Sequence, residues 1–236
     1  MNKLRVVCLT SDNYLWAVRP FAYLMSRYWS TQQPIIVGGF SRPKFPLPPN
    51  IEFVQIATSN YPANKWSDSL IILLNSIEDE FIIFMLEDYW LCRTADVRGI
   101  DACYKYIEHK KDVLRIDLTD DRQYAGGVMN VDAWGSYDIV ETPHGTPYQM
   151  STQAGLWNRR LLLSLLERGK SGWETEIHIQ PPDTMRVLGT RQCPIRYANA
   201  MLKGKLVMKE VEKIPQPHRD KITSYIPKHV LEEIKE

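Results

Sequence analysis

The apolar residues of this chain fall into short runs that alternate with segments of helical spacing. Residues 4–9 form a run ending in Thr10-Ser11-Asp12-Asn13, which predicts a strand and then a polar loop. Phe21, Leu24, Met25 and Tyr28 follow at i, i+3, i+4 and i+7, one face of a helix with Pro20 in its first turn. Strands are predicted at 35–37, closed by Gly38-Gly39, and at 51–56, with a proline-rich loop over 41–50 between them. Leu70, Leu73, Leu74 and Ile77 repeat the helical spacing, with Ser67 or Asp68 as the cap. Residues 81–86 are unbroken apolar and run into Glu87-Asp88. Such a run reads as a strand buried on both faces, as in the middle of a parallel sheet. Ile100, Cys103, Tyr104 and Ile107 mark a further helix and 113–118 a further strand. The alternation is that of βαβ units: an α/β fold with a mainly parallel central sheet flanked by helices.

The second half is less regular. Residues 120–147 are rich in Gly, Asp, Tyr and Pro and read as a long, partly mobile loop. A strand is expected at 150–154, and a helix on Leu161, Leu162, Leu165 and Leu166 that ends near Gly169. A hairpin is expected to pair 195–201 with 206–208 across Lys203-Gly204. Beyond Pro215 the chain is polar, with one amphipathic helix over 227–234. These breaks divide the chain into a main domain, 1–208, and a C-terminal tail, 209–236.

Composition narrows the function classes. The 236 residues carry a formal net charge of +1, which gives no global electrostatic case for nucleic acid or a membrane surface. No run approaches the roughly 18 apolar residues of a membrane span, and residues 1–5 lack a signal-peptide layout. Cys8, Cys92, Cys103 and Cys193 are scattered without CxxC spacing. They read as reduced thiols of a cytoplasmic protein, not as a zinc site or disulfide frame.

Candidate chemistry centres on acids at strand ends. In open α/β sheets, ligands bind in the crevice at the carboxyl ends of the strands. Glu87 and Asp88 stand at such an end with no cation beside them in sequence. Adjacent acids there suit a divalent metal, a ribose hydroxyl, or both. The plain alternative is a strand that stops in a solvated turn. Asp12 stands just past the first strand, and Glu174 and Glu176 at the start of a short helix after Gly172. A carboxylate at a helix N-terminus is stabilised in its charged form and can act as general base toward a hydroxyl. Simple helix-end charge placement accounts for the same two glutamates. Trp66-Ser67 reads either as a capping sequence with one buried Trp or as a helix N-terminus facing the crevice. His144, His178, Arg159, Arg160 and Arg191 carry less weight, as loop or surface residues. GxGxxG, GxxxxGK[ST] and Gly-x-Ser-x-Gly patterns are all missing, which removes a dinucleotide fingerprint, a phosphate loop and a hydrolase elbow.

The order of these features resembles that of nucleotide-sugar glycosyltransferases with the GT-A fold. The features are the Thr10-x-Asp12 loop, Trp66-Ser67 before a helix, Leu86-Glu87-Asp88-Tyr89 at a strand end, Gln153-Ala154-Gly155-Leu156-Trp157-Asn158, and Ser171-Gly172-Trp173-Glu174-Thr175-Glu176. The chain is most similar to small bacterial and viral enzymes of polysaccharide or lipopolysaccharide synthesis, over roughly residues 4–208. The resemblance implies a GT-A-like, Rossmann-like sheet, a nucleotide-sugar donor and a carbohydrate acceptor, with no nucleic-acid partner. It places Thr10, Asp12, Trp66, Ser67 and Glu87 around the nucleotide, and Asp88 at the diphosphate, directly or through Mn²⁺ or Mg²⁺. It assigns Gln153, Trp157 and Trp173 to the sugars, and gives the acceptor's proton to Glu174 or Glu176. Tyr89 stands where the family's acidic motif usually has its metal ligand. The 120–147 loop is then expected to close over the donor.

Two rivals stand beside this reading. A sugar-phosphate nucleotidyltransferase uses a related sheet, but usually with a glycine-rich basic loop after the first strand; Thr10-Ser11-Asp12-Asn13-Tyr14 has no glycine. An inactive GT-A scaffold that binds carbohydrate or serves assembly is suggested by Tyr89 in place of an acid.

Overall fold

The computed structural model describes residues 4–232. Its centre is a nine-stranded sheet. One half is parallel, in the spatial order β3 (Ile51–Gln55), β2 (Ile35–Gly39), β1 (Arg5–Leu9) and β4 (Phe81–Leu86). Next comes β9 (Gly155–Asn158), antiparallel to β4 and to β6 (Val113–Asp117). β10 (Arg186–Thr190) runs parallel to β6, and β8 (Tyr137–Glu141) and β7 (Met129–Trp134) close the far edge as an antiparallel hairpin. This is the expected fold class: α/β, with a mostly parallel central sheet flanked by helices.

Burial explains the sequence pattern. β1, β2 and β4 are covered on both faces and are therefore almost continuously apolar. β3, at an edge, alternates buried and exposed positions. Val6 and Cys8 join one core and Val7 and Leu9 the other, as the two-residue period of a strand requires. The first core holds α1 (Val18–Tyr28) and α3 (Val97–His109); the second holds α2 (Trp66–Asn75) and α4 (Arg159–Leu165). Within α3 the buried stripe is Ile100, Cys103, Tyr106 and Ile107; Tyr106 takes the place expected of Tyr104, which is partly buried.

Several local expectations change. Residues 120–147 are not one long loop, because 129–141 folds into the β7–β8 hairpin on the far side of β10. Ile139 and Val140 are fully buried there, and Gly135, at φ +60°, makes the turn. That hairpin lies at the sheet edge away from β1 and β4. The strand expected at 150–154 begins instead at Gly155. The Lys203-Gly204 turn is present, but its arms are short: β12 (Met201–Leu202) pairs with β13 (Lys205–Leu206). Residues Tyr197–Asn199 form β11, which pairs with β5 (Tyr89–Leu91) instead.

α5 (Gly172–His178) follows α4. After residue 207 come α6 (Met208–Val211), α7 (Gln216–Thr223) and α8 (Lys228–Glu232). Val211, Ile214 and Ile222 are fully buried in the core that also holds α1. The Tyr23 hydroxyl meets His218 Nδ1 at 2.8 Å, which ties α1 to α7. Of the helix expected over 227–234, positions 233 and 234 lie outside the described residues.

Candidate active site

Strand order reverses beside β1. The chain runs from β1 to β2 and β3 on one side, then places β4 on the other. Such a switch point opens a crevice at the carboxyl ends of the two strands. Here the crevice encloses about 460 Å³. Thr10 and Tyr14 line it from the β1 loop, Glu87 and Asp88 from the end of β4, Trp66 from α2, and Met201, Lys203 and Gly204 from the β12–β13 hairpin.

The turn carrying the acid pair is held on both sides. Trp90 Nε1 donates to Glu87 O (3.0 Å), and the Ala200 N–H donates to Asp88 O (2.9 Å). Glu87 is only 7 % exposed. Burial lifts its pKa well above the usual carboxylate range, and the adjacent Asp88 charge lifts it further; the Thr10 hydroxyl pulls the other way. Burial likewise raises Asp88 to about 7, against hydrogen bonds that include one to the Met201 backbone. Both shifts run the same way, because burial and a neighbouring like charge each disfavour the ionised form of an acid. Burial and then the same two acids also raise the Tyr14 hydroxyl and the Cys8 thiol.

A protein-held divalent metal does not fit this donor set. Tyr89, in the third position, lies in β5 with its ring stacked on Tyr197 (centroids 4.5 Å apart) and is 5 % exposed. With its amide oriented to satisfy its neighbours, Asn199 donates to Asp88 Oδ2 (3.2 Å) and to Met201 O (3.1 Å). Among the described residues, no three His, Cys, Asp or Glu side chains converge to hold an ion.

The other expected residues divide. Thr10 and Trp66 line the crevice with the acid pair. Asp12 turns away and caps a loop, accepting from the Ser41 N–H and the Ser41 hydroxyl, both at 2.9 Å. Ser67 is fully buried and stitches α2 to the segment before α5: its N–H donates to Lys170 O (3.0 Å), and its hydroxyl accepts from the Lys170 N–H (3.0 Å). Ser67 is thus taken up by protein, while Trp66 and Ser69 of the same turn line the crevice. Nor do Ser67 and Asp68 cap this helix from outside; both lie within its first turn.

The two glutamates of α5 differ in kind. Glu174 closes a capping box, accepting from the Ser171 N–H (2.8 Å) and hydroxyl (2.7 Å), which hold its pKa below the usual range. Glu176 lies one helical turn beyond the crevice-lining Gly172 and so shares its face, but it does not itself line the crevice. Its Oε1 accepts from the Thr152 N–H and hydroxyl, both at 2.6 Å. Trp173 is 62 % exposed, with its ring against His178. Trp157, expected at the sugars, is instead a core residue beneath Arg115, at 1 % exposure out of reach of a sugar. Gln153 is tied into a polar cluster at the end of β6, donating to Asp121 (3.2 Å) and accepting from the Tyr197 hydroxyl (2.5 Å). Arg159 is structural, donating to Asp79 O (2.6 Å) and Leu74 O (3.0 Å). Arg160, Arg191, His144 and His178 do not line the crevice.

Sequence reasoning missed Tyr14, Tyr61 and Lys203. Tyr61 packs edge-on against Phe40 (centroids 5.5 Å apart) in the crevice wall. Only the Lys203-Gly204 turn chemistry gave any signal, and it pointed to a hairpin rather than to a site.

No family model matches the chain, and no curated protein matches it. Solved structures similar to it include the apo-form glycosyltransferase GlyE of Streptococcus pneumoniae TIGR4 (9 % identity, 70 % of this chain and 36 % of that one, TM-score 0.40). Another is S. aureus TarS 1–349 (12 % identity, 68 % of this chain and 48 % of that one, TM-score 0.38). A third is a CMP:2-keto-3-deoxy-manno-octonic acid synthetase with CTP (9 % identity, 70 % of this chain and 79 % of that one, TM-score 0.36). The chain spans about a third to a half of the two transferases. At these scores the likeness is one of partial chain path.

Proposed function

We propose that this protein transfers a sugar from a nucleotide-sugar donor to a hydroxyl of a carbohydrate acceptor. The observation that carries this reading is the adjacent Glu87 and Asp88 carboxylates, the first buried and the second half-buried, in the wall of a crevice that Trp66 and Tyr61 also line. Paired carboxylates there accept from the hydroxyls of the donor, while Trp66 and Tyr61 offer flat apolar walls to rings. The acceptor oxygen bonds to the anomeric carbon as that carbon's bond to the donor phosphate oxygen breaks. The bonding pair leaves with the nucleotide, and Glu176 takes the acceptor proton. Each glutamate spends one oxygen on two hydrogen bonds, Glu174 on Ser171 and Glu176 on Thr152; Glu176 is assigned the role because the cap holds the Glu174 pKa down, which weakens it as a base.

The test is thermal stability of the full chain against a panel of nucleotides and nucleotide sugars, followed by a transfer assay with the donor that binds. A ligand selective for the folded state raises the melting temperature by mass action. A rise with one nucleotide class, plus turnover lost on Glu176→Gln, is expected. No rise with any of them would overturn the reading. The inward-turned Tyr89 favours a second reading, a carbohydrate-binding scaffold without turnover, which predicts a rise with sugars alone.

A further inference from the structure

We propose that Lys203 holds the phosphate groups of the donor and neutralises the departing nucleotide, in place of a protein-bound metal. This rests on the glycosyltransferase reading above. A nucleotide leaving group is strongly anionic, and a site that binds it needs positive charge. Two usual sources are closed in this chain. In the first turn of α2, which enters the crevice, the Ser67 N–H is already paired with Lys170 O. The acid pair lacks a third ligand because Tyr89 is buried in β5. Lys203 is the sole basic side chain in the crevice wall among the described residues.

Its placement is held by the fold. Residues 203 and 204 form the two-residue turn between β12 and β13, with φ values of +50° and +83°. A turn with both central residues left-handed favours Asn-Gly, and a lysine in the first place is costly. The turn sits close against the first-strand loop, since a Cβ on Gly204 would stand 3.2 Å from the Tyr14 hydroxyl. The base of the hairpin is bound to the acid turn through the Ala200 N–H donating to Asp88 O (2.9 Å). Lys203, with its side chain exposed, is thus carried at the tip of a short hairpin whose base is tied to the acid turn. A strained residue kept in a functional wall, where an unstrained one fits better, is the observation that singles it out. In the reaction Lys203 stays protonated throughout: it donates hydrogen bonds to phosphate oxygens and gives up no proton.

Lys203→Asn separates function from folding, because it installs the Asn-Gly pair this turn favours. Binding is measured by calorimetry on the full chain in EDTA, with UDP, GDP and CDP and with the matching nucleosides. Wild type is expected to bind one diphosphate without added metal. Lys203→Asn is expected to weaken that diphosphate by about 10- to 100-fold, the value of a charge-assisted contact. Nucleoside affinity should be unchanged and the melting temperature equal or higher; Lys203→Arg should restore most of the diphosphate affinity. Diphosphate binding that appears only with Mn²⁺, or that survives Lys203→Asn, would overturn the proposal while leaving the transferase reading intact. Failure of wild type to bind any nucleotide or nucleoside would overturn both.

Discussion

At the scale of single residues, the acid pair makes pH the sharpest probe. An acid whose folded pKa lies above its unfolded value binds its proton more tightly when folded. Its contribution to stability is therefore most favourable below the ordinary value of 3.8 and is lost as pH rises through about 7 for Asp88. Asp88→Asn removes that loss. The variant should melt higher than wild type at pH 8, with the gap shrinking toward zero at pH 4, and it should bind nucleotide less well. An equal gap at both pH values would mean that the Asp88 pKa is not raised in the folded protein. The two glutamates of α5 give a second contrast. Glu176→Gln should lower turnover by about 10²- to 10⁴-fold, the usual worth of a general base. Glu174→Ala should keep turnover and lower only the melting temperature, because its carboxylate serves the Ser171 cap. Loss of turnover in the second variant alone would exchange their roles.

At the scale of elements, the close approach of α2 to the sheet decides what β2 can contain. A Cβ on Gly38 would stand 2.6 Å from both terminal methyls of Leu73. Gly38→Ala is therefore expected to cost about 1–3 kcal/mol through overpacking, read as a lower midpoint in denaturant. Leu73 is fully buried, so Leu73→Ala alone should cost about 2–5 kcal/mol. The double variant should be less destabilised than the sum, because each change makes room for the other. Strict additivity in that cycle would show that the contact carries no energy. The glycine is legible in the sequence as a strand-closing residue; its partner, 35 positions away by residue numbers 38 and 73, is not.

At the scale of the whole molecule, the C-terminal helices complete the core on the α1 side of the sheet. Val211, Ile214 and Ile222 have no exposed surface, and each buried aliphatic side chain contributes about 1.5–3 kcal/mol. A chain ending at residue 207 should therefore melt well below the full chain, measured by circular dichroism. An unchanged melting temperature would make the segment a dispensable tail. Loss of nucleotide binding is expected to accompany the destabilisation, because the segment directly follows β13 of the crevice hairpin.

The parallel half of the sheet was legible from the chain alone. Strands covered on both faces must be continuously apolar, and helices that cover them must carry a stripe at 3.6-residue spacing, so 4–118 declares itself locally. The acid pair was legible for the same reason: carboxylates at the end of a buried strand stand where the backbone stops and a crevice begins. The rest depends on distant partners. The first strand of the hairpin at 129–141 is almost wholly exposed, and the pair is fixed to the sheet where β8 meets the edge of β10. Trp157 looks like a sugar platform in sequence and is a core ring in space. Glu174 and Glu176 share one motif, but a cap claims the first, and the turn of α5 places the second on the face of Gly172. Lys203 became a crevice residue only when β11, β12 and β13 folded back onto the acid turn. Periodicity and turn chemistry act over a few residues and are written in the chain; which side chains converge on one point is set by crossovers and pairings that only the folded sheet defines.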